Sequence, residues 1–106
     1  MIEGDICLYT FKSPDKRRPV LILTRSTAIP ILSWVTVAPI TSTLRNLPSE
    51  VWIDDSDGMD HACAVNLDNI QTVLKEKLGK AIAHLNVEKM DEVREAVNFV
   101  FDFPDA

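Results

Sequence analysis

The sequence predicts a small, mainly β domain, a barrel or strongly bent sheet with one C-terminal amphipathic helix. Three observations predict it: a length of 106 residues, many short apolar strands separated by turn signals about every 8–12 residues, and a switch to helical period after Asn86. A chain of this length holds one core, so residues 1–106 read as a single domain. A barrel would also leave no exposed sheet edge.

The elements follow in order. Asp5 to Phe11 is β-branched and aromatic, and runs into the turn cluster from Lys12 to Lys16. Arg18 to Thr24 is a near-continuous apolar run, as in a strand buried on both faces, with Pro19 near its start where no ladder donor is needed. Ser33 to Ile40 is a third strand, with Pro39 marking its end, and a polar loop from Thr41 to Pro48 follows. Glu50 to Asp54 alternates as a fourth strand. Beyond the acidic turn from Asp55 to Gly58, three more strands are expected at Ala62 to Asn66, Asn69 to Leu74 and Lys80 to His84. Val87, Met90, Val93, Val97 and Val100 then recur at helical spacing, opposite a charged face, with Asn86 as N-cap. Phe99, Phe101 and Phe103 add apolar surface that either covers the core or lies in a subunit interface.

Composition excludes several classes. No segment approaches the roughly 18 apolar residues of a membrane span. The start, Met1 to Asp5, is acidic and unlike a secretory signal. The two cysteines, Cys7 and Cys63, lack both disulfide-scaffold numbers and C-x-x-C spacing, which predicts a reduced, cytoplasmic setting. The net charge of −5 argues on its face against a polyanionic partner. Its distribution says otherwise: residues 1–50 carry six basic and four acidic side chains, residues 51–106 five and twelve.

Two clusters carry candidate chemistry. Lys12, Lys16, Arg17 and Arg18 surround the first strand connection, where guanidinium groups can hold phosphate; a solvated loop fits the composition equally well. Thr41, Ser42 and Thr43, followed by Arg45 and Asn46, offer hydroxyl and cationic donors after a buried strand, or simply form a turn. Asp54 to Asp60 resembles a calcium loop only superficially, because Ile53 and Ala64 would fall at the end ligands. His61 and His84 have no ligand-spaced partner, so no metal site is expected. His61 beside Asp60 can form an acid–base pair, but the site implied by the family resemblance below does not lie there.

Six segments occur here in an order similar to the MazF/PemK family: Gly4-Asp5-Ile6, Arg18-Pro19-Val20-Leu21-Ile22, Val37-Ala38-Pro39-Ile40-Thr41-Ser42, Leu47-Pro48-Ser49-Glu50-Val51, Val65 to Thr72, and the helix from Leu85 to Ala96. The resemblance covers essentially the whole chain. It implies an SH3-like, PemK-type small barrel and the toxin of a type II toxin–antitoxin pair. Such a toxin is a metal-independent, homodimeric endoribonuclease of single-stranded RNA, needing no cofactor. Its partner is a MazE-like antitoxin whose acidic tail occupies the substrate groove. The same resemblance implies catalytic roles for Arg18 and Thr41. Asp68 matches the aspartate of an Arg-x-Asp pair found in one branch, but Asn66 stands at the arginine position. That leaves Asp68 as base, as orienter of Arg18 or as a turn cap. Lys16, Arg17, Ser42, Asn66 and Gln71 are the RNA-contact candidates, with Arg45 and Asn46 beside them, and the loop from Lys12 to Arg17 is expected to influence cleavage preference. The alternative is a non-catalytic, CcdB-like toxin that poisons DNA gyrase; the ending Phe103-Pro104-Asp105-Ala106 lacks that group's tryptophan-bearing tail.

Overall fold

A computed structural model describes residues 1–11 and 16–102. Among these described residues, seven strands, β1 (Asp5–Phe11), β2 (Lys16–Ile22), β3 (Trp34–Thr41), β4 (Glu50–Ile53), β5 (Cys63–Asn66), β6 (Gln71–Leu74) and β7 (Ala81–His84), precede one α-helix, α1 (Val87–Phe101). They form one antiparallel sheet in the order β4-β5-β3-β2-β1-β7, with β6 also paired to β3. The result is the expected mostly β fold with one C-terminal helix. Its strand path is a half-barrel ending at β4 and β7 among the described residues.

β3 organises the bend. Val37, Ala38 and Pro39 pair with Ile22, Leu21 and Val20 of β2. Trp34 to Val37 pair with β6, whereas Ile40 and Thr41 pair with Val65 and Ala64 of β5. Pro39 therefore does not end the strand as expected. It falls in the gap between the β6 and β5 registers, where a missing N–H costs no ladder bond.

Both faces of β2 are buried, the pattern its continuous apolar run predicts. Leu21 joins Ile6, Ala38, Leu67 and Leu85 in a core beneath α1. Val20 and Ile22 turn the other way, to Cys7, Val35, Val37 and Val73. Ile29, from the segment between β2 and β3 to which the sequence reading gave no element, packs into this second core, and its carbonyl accepts from Lys75 Nζ at 2.7 Å. β2 stops at Ile22 rather than Thr24 because the Thr24 hydroxyl, at 2.8 Å, takes the backbone N–H of Thr36.

Local capping sets other boundaries. Leu67–Asn69 forms a short 3₁₀ turn where a strand start was expected, because Asn66 Oδ1 accepts from the N–H of Asp68 at 3.0 Å. Asn86 caps α1 by accepting from Lys89 N–H at 2.9 Å, a contact worth about 1 kcal/mol. Val93 and Ala96 are the helix's buried residues, flanked by Met90, Val97 and Val100. Val87, expected on this face, is instead 77% exposed at the first position of the helix. Phe99 and Phe101 are more than half exposed and lie outside the core clusters. Phe103, like Lys12, lies outside the described residues.

Candidate active site

Three segments meet at one cavity of about 760 Å³. The start of β2 supplies Arg17 and Arg18, both exposed and paired across the ladder with Thr10 and Tyr9. The end of β3 supplies Thr41, continuing into Ser42, Thr43 and Arg45. The loop before β5 supplies Asp60 and His61. Rigid ladders hold the first two segments, and the third is set by its own capping.

That capping begins where β4 ends. Asp54 Oδ1 accepts from Ser56 N–H at 2.9 Å, and Asp57 Oδ2 accepts from Asp54 N–H at 3.0 Å. The Ser56 hydrogen bonds hold the Asp54 carboxyl below its usual range. Gly58 closes the turn at φ +96°, a left-handed conformation suited to glycine, and a Cβ there would lie 3.1 Å from Ala83 Cβ. The sequence's acidic turn is thus a self-capped 3₁₀ turn that leads directly into the cavity-lining residues Gly58 to His61.

The electrostatics are local. Among the described residues, Arg17, Arg18 and Arg45 line the cavity with one carboxylate, Asp60, so this part of the surface is cationic in a protein of net charge −5. Arg45 is anchored through its N–H to Glu50 Oε1 at 3.0 Å, with its guanidinium 4.0 Å from Oε2. The Thr41 hydroxyl accepts from Thr43 N–H at 3.1 Å, leaving its own proton to donate. Burial first, then the charges of Asp60, Asp57 and Asp54, push the Cys63 thiol up, so it stays neutral at the cavity wall. Among the described residues, no three His, Cys, Asp or Glu side chains gather into a set able to hold a metal ion. No helix among them is long and apolar enough to cross a membrane.

Over residues 3–101 the sequence matches the family described as PemK-like, MazF-like toxin of type II toxin-antitoxin system. The chain belongs to this family. The Endoribonuclease MazF3 of Mycobacterium tuberculosis is 44% identical over 88 residues, covering 83% of this chain and 85% of the relative. The solved Mycobacterium tuberculosis toxin MazF-mt6 matches with a TM-score of 0.88 at 39% identity, covering 95% of this chain and 99% of the other. The fold is also that of an endoribonuclease in complex with its cognate antitoxin from a mycobacterial species. That match has a TM-score of 0.84 at 24% identity and covers 100% and 99% of the two chains.

In this MazF-type toxin, the residues singled out from sequence fall into two groups. Arg17, Arg18, Thr41 and Ser42 share the cavity, with Arg45 beside them. Lys16 pairs with Phe11 through the backbone at the start of β2, and its side chain lies outside the described atoms. Asn66, Asp68 and Gln71 are not among the cavity's lining residues. Asn66 is buried and caps the turn through Asp68 N–H, Asp68 is exposed on that turn, and Gln71 Nε2 donates to the Asn69 carbonyl at 3.4 Å. Asn66 ends β5 at the opposite end from Cys63, about 10 Å along the strand, with Asp68 on the turn that follows and Gln71 opening β6.

Asp60 and His61 were legible as a pair but not as part of this site. The register supplies the missing link. Ala64 opposes Thr41, so the loop entering β5 lies beside the loop leaving β3.

Proposed function

We propose that this MazF-type endoribonuclease cleaves single-stranded RNA without a metal, through attack of the substrate's own 2′-hydroxyl on the adjacent phosphate. The products are a 2′,3′-cyclic phosphate and a 5′-hydroxyl, and the cellular consequence is arrest of translation and growth. One observation carries the reading: Arg18 and Thr41, distant in sequence and fixed on neighbouring strands, converge on one cationic cavity.

The chemistry explains the residue types. Attack gathers negative charge on the non-bridging oxygens, and a guanidinium fixed at a strand start can offer two N–H donors to them. Arg18 takes this role and also holds the leaving 5′-oxygen. Thr41, through its free hydroxyl proton, positions the phosphate. Arg17, Lys16 and Ser42 contact the flanking backbone and bases, as expected for an extended single strand read along a cationic groove. Two copies of the chain pair their acidic-backed, basic-edged faces into one longer groove. In the cytoplasm, a MazE-like antitoxin with an acidic tail competes for it. The solved relative bound to its cognate antitoxin supports that last point by fold.

The test is direct. Purified protein incubated with a long single-stranded RNA is expected to cut it equally with and without a chelator, leaving cyclic-phosphate and 5′-hydroxyl ends. Intact RNA, or cleavage that stops on chelation, would contradict the reading.

A further inference from the structure

The cavity holds a hydrogen-bonded chain of which the cleavage scheme above uses only Ser42, and that as an RNA contact. His61 Nε2 lies 2.9 Å from Ser42 Oγ, and His61 Nδ1 contacts the Asp60 carboxylate. Carboxylate, imidazole and hydroxyl are thus connected in series, and all three residues line the cavity shared with Arg18 and Thr41. The polarity of the series follows from its ends. A carboxylate only accepts, so Nδ1 carries the proton of the neutral imidazole and Nε2 offers a lone pair to the Ser42 O–H. The series is preorganised from both sides, by the β3–β5 register behind Ser42 and by the Asp54–Gly58 turn ahead of Asp60.

We propose that Asp60, His61 and Ser42 form the proton relay for RNA cleavage in this chain, with His61 the acceptor of the 2′-hydroxyl proton. This rests on the 2′-hydroxyl mechanism proposed above. The substrate 2′-O–H bond breaks as its proton passes to Ser42 Oγ, while the Ser42 proton passes to His61 Nε2. The freed 2′-oxygen bonds to phosphorus and the bond from phosphorus to the 5′-oxygen breaks. The 5′-oxygen, held by Arg18, takes a proton from a solvent water. The hydroxide so formed recovers the proton from the imidazolium, and the enzyme is restored with no net proton consumed. Asp60 stabilises the transient imidazolium and fixes the ring's tautomer, and Ser42 touches the substrate. The arrangement also supplies a base that arginine, always protonated, cannot.

Titratable and charged groups lining the cavity with His61 are, among the described residues, Asp60 on its own loop, Cys63 at the start of β5, Arg17 and Arg18 on β2 and Arg45 after β3. Burial pushes the Cys63 thiol up and guanidinium groups do not deprotonate in proteins, so neither supplies the acid limb expected of an imidazole base. Asp60→Asn isolates the carboxylate's contribution.

The experiment measures kcat, KM and their pH profiles on one defined single-stranded RNA for the parental protein, His61→Gln, Asp60→Asn and Ser42→Ala. His61 is more than half exposed, so His61→Gln is expected to keep the parental far-ultraviolet circular dichroism. It should lower kcat on the order of 10²-fold with KM little changed, and abolish the acid limb of the kcat profile. The other two variants should lower kcat in the same direction. A His61→Gln protein with parental kcat and an intact acid limb overturns the relay while parental cleavage leaves the endoribonuclease reading standing. A parental protein that does not cut RNA overturns both.

Discussion

Arg18→Ala is expected to lower the rate of RNA cleavage by on the order of 10²–10³ while leaving the fold intact. Arg18 is exposed at the start of β2, opposite Tyr9, and its side chain contributes to neither buried core. Truncation therefore removes a cavity donor without opening a void. If Arg18 acts as proposed, on charge that develops in the transition state, the loss falls on kcat more than on KM. Arg18→Lys is expected to recover only part of the activity, since an ammonium cannot give the two parallel bonds of a guanidinium. Single-turnover cleavage beside thermal unfolding checks both halves. An Arg18→Ala protein of unchanged stability cutting at the parental rate would remove Arg18 from the chemistry.

Three residues further along the same strand, Leu21→Ala is expected to do the opposite. Leu21 has no solvent exposure and packs among Ile6, Ala38, Leu67 and Leu85, where the sheet meets the layer under α1. Removing three buried carbons and leaving a partial cavity costs about 3–5 kcal/mol. A domain of this size has only about 5–15 kcal/mol in total. Denaturant unfolding should show the midpoint fall steeply with the slope nearly unchanged. The fraction that remains folded should cut RNA at close to the parental rate. A loss under about 1 kcal/mol would mean that β2 does not anchor the core as described.

The contrast between these neighbours shows how much the sequence discloses. The run from Pro19 to Ile22 announces a strand buried on both faces, and the structure divides it between two cores. The helical period after Asn86 and its cap are equally local, and both appear where expected. Pro39 misleads, because a proline ends a strand only when its N–H is needed, and that depends on which strand stands opposite. Asn66 and Asp68 sit in a motif region, yet their visible hydrogen bond is a turn cap, which composition could not separate from chemistry. Ile29 escapes because an irregular segment has no period to read.

The site follows the same division. Arg17, Arg18, Thr41 and Ser42 were legible as donors, but their meeting depends on β2 and β3 being neighbours. Asp60 and His61 were legible as a pair, and only the pairing of Thr41 with Ala64 brings them to the same cavity. Net charge misled for a related reason. The acidic residues cluster in the Asp54–Asp60 turn and on α1, whereas most of the cavity's formal charge comes from arginines of the first half of the chain.

In the proposed reaction the substrate's 2′-hydroxyl is the nucleophile, and the protein, without a metal, supplies charge and position around it. The most direct measurement uses a single-stranded RNA oligonucleotide with a mapped cut, resynthesised with one 2′-deoxy nucleotide on the 5′ side of that bond. The parental oligonucleotide is expected to be cut in the presence of chelator, and the substituted one to stay uncut at that bond. Cleavage of the 2′-deoxy bond at a comparable rate would contradict it.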